Sequence, residues 1–170
     1  MKIAFFDRDG TIIKDYPENK WSEIEKPIFI EGAINTLKRV ISKGYKIIII
    51  TNQYIINEGY ITIEQYHHIN NQMISKLKHE GIEVLDVFYC PHGKHEGCNC
   101  IKPKIGMIEK ALHKHPKIKL EESFMIGDLP VDIELAINMG IRGFGIGIGS
   151  NYKKENIYQL NTITDLPSFI

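Results

Sequence analysis

Short apolar runs alternate along this chain with stretches in which apolar residues recur every three or four positions. Residues 2–6 form the first run, and residues 46–50, with four consecutive isoleucines, form the second. Between them, Ile34, Leu37, Val40 and Ile41 fall on one helical face, which Gly44 ends. Thr62-Ile-Glu-Gln65 has the form of a capping box. Behind it, Tyr66, Ile69, Met73, Ile74 and Leu77 make a buried stripe, with Gly81 as the stop. A third strand is expected over residues 84–89, a helix over 106–112 and a fourth strand over 123–126. Pro130 suits the first turn of a helix running to Met139, before Gly140. Residues 143–148 read as a fifth strand, weakened by three glycines. This alternation predicts an α/β fold, a parallel sheet sandwiched by helices.

In such sheets the functional site lies beyond the carboxyl ends of the strands. The polar motifs fall there: Asp7 after the first strand, Thr51 after the second, Cys90 after the third and Gly127-Asp128 after the fourth. Four motifs carried by four strands are thereby expected to share one site.

Composition narrows the class. At 170 residues, 43% hydrophobic and 25% charged, the chain reads as one globular domain over residues 1–170, without repeat, linker or low-complexity stretch. A formal net charge of zero gives no general attraction for nucleic acid. No apolar run reaches membrane-spanning length, and the amino terminus turns acidic at Asp7, too early for a signal-peptide apolar region. A cytoplasmic monomer acting on a small molecule is the expectation, with neither nucleic acid nor membrane as partner.

Asp7-Arg8-Asp9-Gly10-Thr11 sets two carboxylates two residues apart at a strand end. Close carboxylates repel, so both stay ionised only beside a cation, which points to a divalent metal. One carboxylate can then attack phosphorus while the other moves protons. The plainer reading of the motif is an Asx turn bent at Gly10. Gly127-Asp128-x-x-x-Asp132 adds two carboxylates, one at a strand end and one in a helix's first turn. Asp132 alone reads as an ordinary helix cap. Asp128 reads as a further oxygen ligand of the kind magnesium takes. Thr51-Asn52-Gln53 offers a hydroxyl and amides to phosphate oxygens, and Lys102 offers a cation to a phosphoryl group. Singly, each could be a solvated strand end or loop lysine; their order along the chain is what joins them.

Cys90-Pro-His92-x5-Cys98-Asn-Cys100 gathers three thiols and an imidazole within eleven residues. That set suits tetrahedral zinc with no position open to water, hence a structural ion that folds a polar loop. The odd cysteine count, clustered beside a histidine, speaks against disulfides and for a reducing compartment.

Taken together, Asp7-x-Asp9-Gly-Thr, Thr51, Lys102 and Gly-Asp128-x-x-x-Asp132 resemble, in order, the four motifs of the haloacid-dehalogenase phosphatases, across nearly the whole chain. The zinc loop running into Lys-Pro-x-x-Gly-Met resembles the group holding D-glycero-D-manno-heptose 1,7-bisphosphate 7-phosphatase and histidinol-phosphate phosphatase. Gly59-Tyr60-x-Thr62 looks more like the heptose enzyme. The resemblance implies a capless, Rossmann-like domain. It implies Asp7 as nucleophile and Asp9 as general acid/base. It implies magnesium at Asp7, Asp128 and the Asp9 carbonyl, with Asp132 as a further candidate, and Thr51, Asn52 and Lys102 on the phosphate. Specificity would come from the zinc loop and residues 14–21. The chain departs from that pattern at Ile101, Leu129 and Glu58, where the heptose enzymes carry cations. The expected activity is hydrolysis of a phosphosugar, with heptose bisphosphate leading. Histidinol phosphate, a polynucleotide 3′-phosphate, or a non-catalytic binding role are the alternatives.

Overall fold

The computed structural model describes residues 1–148, 152 and 154–170. Its strands are β1 (Ile3–Phe6), β2 (Lys46–Asn52), β3 (Val84–Cys90), β4 (Phe124–Gly127), β5 (Arg142–Ile146) and β6 (Ile157–Leu160). They form one sheet in the order β3-β2-β1-β4-β5-β6, with every neighbouring pair parallel. The helices are α1 (Ala33–Ser42), α2 (Ile63–His79), α3 (Gly106–Lys114) and α4 (Pro130–Met139).

The central strands β1, β2 and β4 read as nearly unbroken apolar runs because both faces of the sheet are covered there. Ala4, Phe6, Ile47 and Ile49 face one layer with Leu37 and Val40 of α1 and Tyr66, Met73 and Leu77 of α2. Ile3, Phe5, Ile48 and Ile50 face the other, with Met107 and Ala111 of α3 and Leu135 and Ala136 of α4. The four isoleucines of β2 are wholly buried, each contributing about 1.5–3 kcal/mol of transfer free energy. The α2 capping box is present: Thr62 Oγ1 accepts from Gln65 N–H at 3.1 Å, and Gln65 Oε1 accepts from Thr62 N–H at 2.8 Å.

The strand order reverses direction between β1 and β4, the switch point at which open α/β sheets form their clefts. Phe6 lies in register with Ile49 on one side and Ile126 on the other. The residues that follow, Asp7 and Asp128, therefore emerge side by side.

The sequence pattern missed β6 and three short 3-10 turns at Glu18–Glu23, Leu120–Glu122 and Ile163–Ser168. Strand β6 exposes Tyr158 and Gln159 and buries only Leu160, so it shows no apolar alternation; pairing with β5 makes it a strand. The fifth strand stops at Ile146 rather than 148 because Gly147 turns at φ +66°. His67, His68, His79 and His113 are exposed, but His115 is half-buried against Asp86, 2.7 Å away.

Candidate active site

Asp7 leaves β1 with its N–H still bonded to the Ile126 carbonyl at 2.9 Å, which fixes its side chain at the sheet's carboxyl edge. Thr11, wholly buried, donates to Asp7 Oδ2 at 3.2 Å. Gly10 turns the chain at φ +86°, and a Cβ there would stand 2.6 Å from Asp128 Cγ. Its glycine thus lets the Asp128 carboxylate approach the Asp7 turn.

Lys102 is buried, and its ammonium is fully engaged: Asp7 Oδ1 at 2.6 Å, Asp132 Oδ1 at 2.6 Å and the Ile50 carbonyl at 3.0 Å. Burial alone would push this lysine toward neutrality; the Asp132 and Asp7 carboxylates more than offset it and hold it cationic. Asp132 also caps its own helix, accepting from Leu129 N–H at 3.0 Å. The plain capping reading of Asp132 thus accounts for one oxygen, and the lysine for the other. Asn52 was expected on the phosphate. Here its amide is spent on the Lys102 backbone, accepting from Lys102 N–H at 2.8 Å and donating to its carbonyl at 3.2 Å. It lines the cleft but holds the lysine segment in place.

Asp9 receives Arg8 Nε at 2.8 Å on one oxygen, and Arg8 Nη2 at 3.0 Å and Gln53 Nε2 at 2.7 Å on the other. Gln53 also donates to Thr51 Oγ1 at 2.8 Å.

Asp7, Asp128 and Asp132 bring carboxylate oxygens within 4.8 Å of one another. With Asp9, four carboxylates meet two cations, Lys102 and Arg8, and among the described residues Asp128 forms no ion pair. Burial holds the Asp7 carboxyl well above its usual range; Lys102 opposes this, while Asp132, Asp128 and Asp9 add repulsion. Burial, then repulsion from Asp132, lifts Asp128 to about 6. An oxygen-only cluster short of two positive charges fits a divalent hard cation.

Cys90 ends β3, and its sulfur lies 3.6 Å from Cys98 Sγ and 2.7 Å from Cys100 Sγ. His92 turns Nδ1 toward the same point, 3.1 Å from Cys100 Sγ. Burial raises the Cys98 thiol, but the N–H groups of Ile101 and Cys100 and neighbouring thiols outweigh it and bring it to about 7. Burial pushes the Cys90 and Cys100 thiols up, so geometry carries the assignment: three sulfurs and one imidazole nitrogen converge as a zinc site requires.

A cleft of about 340 Å³ opens over Asp7 and Asp9. Residues from 15–21 and Lys94 of the Cys/His loop form its rim, with Ile101 and Leu129 on its walls. Lys94 Nζ sits 3.1 Å from Glu18 Oε1 and 4.1 Å from the Tyr54 ring centre, and Tyr54 donates to Glu18 at 2.8 Å. Glu58 does not line the cleft; it accepts from the Lys94 backbone N–H at 2.9 Å and so braces the loop.

Sequence reasoning passed over Thr11, Arg8 and Lys94, and assigned Gln53 to phosphate. The Gly10-Thr11 pair inside the motif was a signal for Thr11. Nothing local marks Arg8 as buried.

A family model described as polynucleotide kinase 3 phosphatase matches residues 2–142. D-glycero-alpha-D-manno-heptose-1,7-bisphosphate 7-phosphatase of Photorhabdus laumondii is 38% identical over 148 residues, covering 83% of this chain and 79% of the relative. The histidine biosynthesis bifunctional protein HisB of Campylobacter jejuni subsp. doylei is 38% identical over 158 residues, 92% of this chain. The chain spans only 44% of that relative's length. The crystal structure of D,D-heptose 1,7-bisphosphate phosphatase from B. bronchiseptica, complexed with magnesium and phosphate, superposes with a TM-score of 0.84 at 22% identity. It covers 99% of this chain and 97% of its own. Among the described residues, no helix is long and apolar enough to cross a membrane. With four motif carboxylates gathered at the switch point and relatives of this identity, the chain belongs to the haloacid-dehalogenase phosphatases, in the group that includes heptose-1,7-bisphosphate 7-phosphatase and HisB.

Proposed function

We propose that this phosphatase is a magnesium-dependent phosphomonoesterase that works through an aspartyl-phosphate on Asp7. The observation that carries this is the convergence of buried Asp7 and Asp132, both paired to Lys102, with half-buried Asp128, and with Asp9 alongside in the same cleft. Asp7 attacks phosphorus, and the ester P–O bond breaks as Asp9 gives its proton to the leaving alcohol. Asp9 then takes a proton from water, whose oxygen attacks the aspartyl-phosphate. The bond between phosphorus and the Asp7 oxygen breaks, releasing inorganic phosphate and the free carboxylate. Thr51 and Lys102 line the cleft with Asp7 and would bind the phosphoryl group, and Lys102 keeps Asp7 aligned through their 2.6 Å ion pair. Asp7, Asp128 and the Asp9 carbonyl would hold magnesium, with Asp132 as a further candidate; the ion supplies charge neutralisation of the phosphoryl oxygens. Chelation with EDTA is expected to stop turnover, and added magnesium to restore it within the assay. Undiminished activity after exhaustive chelation would contradict the reading. Cys90, His92, Cys98 and Cys100 would hold one structural zinc.

A small phosphosugar is the substrate class, with heptose 1,7-bisphosphate the reading that the relatives' names support. Histidinol phosphate is a second reading. The rim carries Asp15, Glu18 and the rings of Tyr16, Trp21 and Tyr54, which suit a cationic, flat alcohol. Ile101 and Leu129 put apolar walls where a second phosphate wants charge, and Lys94 is already paired to Glu18. The unmodified protein is therefore expected to show no strong preference for the bisphosphate over monophosphates. Ile101→Arg should lower KM for the bisphosphate by roughly ten- to a hundredfold, the worth of one charge-assisted hydrogen bond. Specificity constants for heptose bisphosphate, heptose monophosphate and histidinol phosphate check this. A strong bisphosphate preference in the unmodified chain would mean that other residues supply the charge.

A further inference from the structure

Arg8 stands between the two motif aspartates and is only 1% exposed. Its guanidinium lies 5.1 Å from the Tyr66 ring centre and 5.7 Å from that of Trp21. Both forked nitrogens that it uses go to one carboxylate, that of Asp9, at 2.8 and 3.0 Å. Gln53, equally buried, adds 2.7 Å to Asp9 Oδ2 and ties it to Thr51.

A purely structural reading accounts poorly for this arrangement. A buried ion pair is seldom a better stabiliser than apolar side chains of similar volume, and a methionine would fit between two aromatic rings. The cluster also leaves Arg8 Nη1 and Gln53 Oε1 buried without partners. Two long polar side chains thus sit in the interior with unmet hydrogen-bonding capacity, and what they have in common is Asp9. A planar fork against a planar carboxylate fixes the carboxylate's tilt as well as its place, which a point charge cannot do. Trp21, which covers the guanidinium, also lines the cleft rim, so the segment facing substrate packs directly on the group holding Asp9.

We propose that Arg8 and Gln53 are positioning residues that hold both oxygens of the Asp9 carboxylate and set the orientation in which it exchanges its proton with the leaving group and with water. The inference rests on the reading of Asp9 as general acid/base. It predicts a loss that depends on how much the leaving group needs a proton.

The test compares kcat/KM, which reports phosphorylation of Asp7, for two substrates. One is 4-nitrophenyl phosphate, whose leaving group departs unprotonated. The other is the best alkyl phosphate from the substrate panel above. Asp9→Asn should lose about 10²–10⁴-fold on the alkyl ester and far less on the aryl ester. Arg8→Met should follow the same pattern with about a 10²-fold alkyl loss. Arg8→Lys, keeping charge without the fork, should recover only part of it. Gln53→Met leaves the ion pair intact and should show a roughly tenfold alkyl-selective loss. It carries the test if Arg8→Met does not fold, as judged by circular dichroism. Equal losses on both esters in the Arg8 and Gln53 variants, with Asp9→Asn still selective, would overturn the clamp alone. An unselective Asp9→Asn would overturn the acid/base reading and the clamp with it.

Discussion

Asp7→Asn is expected to abolish turnover, by on the order of 10⁴-fold or more, while the protein stays folded. The amide oxygen is too weak a nucleophile to open the ester, and the lost charge weakens the carboxylate cluster's attraction for a cation. The fold should survive because the change is nearly isosteric. Asn Oδ1 can still accept from Lys102, which in any case keeps Asp132 and the Ile50 carbonyl. The variant also relieves the repulsion that Asp132, Asp128 and Asp9 exert on a buried charge at this position. A melting temperature near that of the unmodified protein, beside absent phosphate release, is the expected pair of results. Beryllium fluoride should trap an acyl-phosphate mimic in the unmodified protein, on Asp7, and none in the variant. Near-normal turnover by the variant would rule out covalent catalysis at this residue.

The parts of this site that could be read from the sequence are those that depend on strand ends. Asp7, Thr51, Cys90 and Asp128 follow apolar runs, and a parallel sheet brings its strand ends together whatever the details of packing. Zinc-type spacing is equally local, which is why Cys90, His92, Cys98 and Cys100 could be grouped before any coordinates. What escaped was every property set by a third residue. Gln53 and Asn52 looked alike as amides beyond a strand; one points to Asp9 and the other to Lys102, a choice made by the loops facing them. Arg8 looked like a spacer, since burial of a cation between Trp21 and Tyr66 depends on a turn and a helix distant in sequence. Strand β6 escaped for a related reason. Its one buried residue is Leu160, followed by Ile163 and Leu166 in a segment that packs on α1, a contact with no periodic signature.

The charge pattern of the cleft divides in the same way. Ile101 and Leu129 do line it, as their positions beside motif residues suggested, whereas Glu58 acts at one remove by holding the Lys94 backbone. The Cys/His loop thereby supplies the rim with a cation outside the four motifs, though Glu18 neutralises it.

Cys98→Ser is expected to lose the zinc and, with it, the order of the loop. Cys98 is the half-buried sulfur of the set, so serine there disturbs packing less than it would at Cys90 or Cys100, which are buried. Ligand convergence is expected to fold this segment: outside the four ligands, residues 91–99 bury no apolar side chain and are held by polar contacts. Those include Gly93 N–H on Glu96 at 3.0 Å, Lys94 N–H on Glu58 at 2.9 Å and Asn57 on Glu96 at 3.3 Å. Structural zinc sites contribute about 10–16 kcal/mol in small zinc-dependent domains, far more than such surface contacts can replace. Elemental analysis should find one zinc per chain in the unmodified protein and well under one in the variant, and limited proteolysis should cut the variant within 91–99. Catalysis should suffer selectively. With the loop goes one side of the cleft rim, so KM should rise by roughly tenfold. Lys102 stays, because the reciprocal bonds with Asn52 and the ion pairs to Asp7 and Asp132 do not pass through the metal. The turnover number should therefore fall no more than about threefold, a change worth under 1 kcal/mol in the barrier. A collapse of kcat with unchanged KM would place the zinc in support of the lysine rather than of the rim. Freshly purified, unchelated protein without zinc would remove the metal from the account altogether.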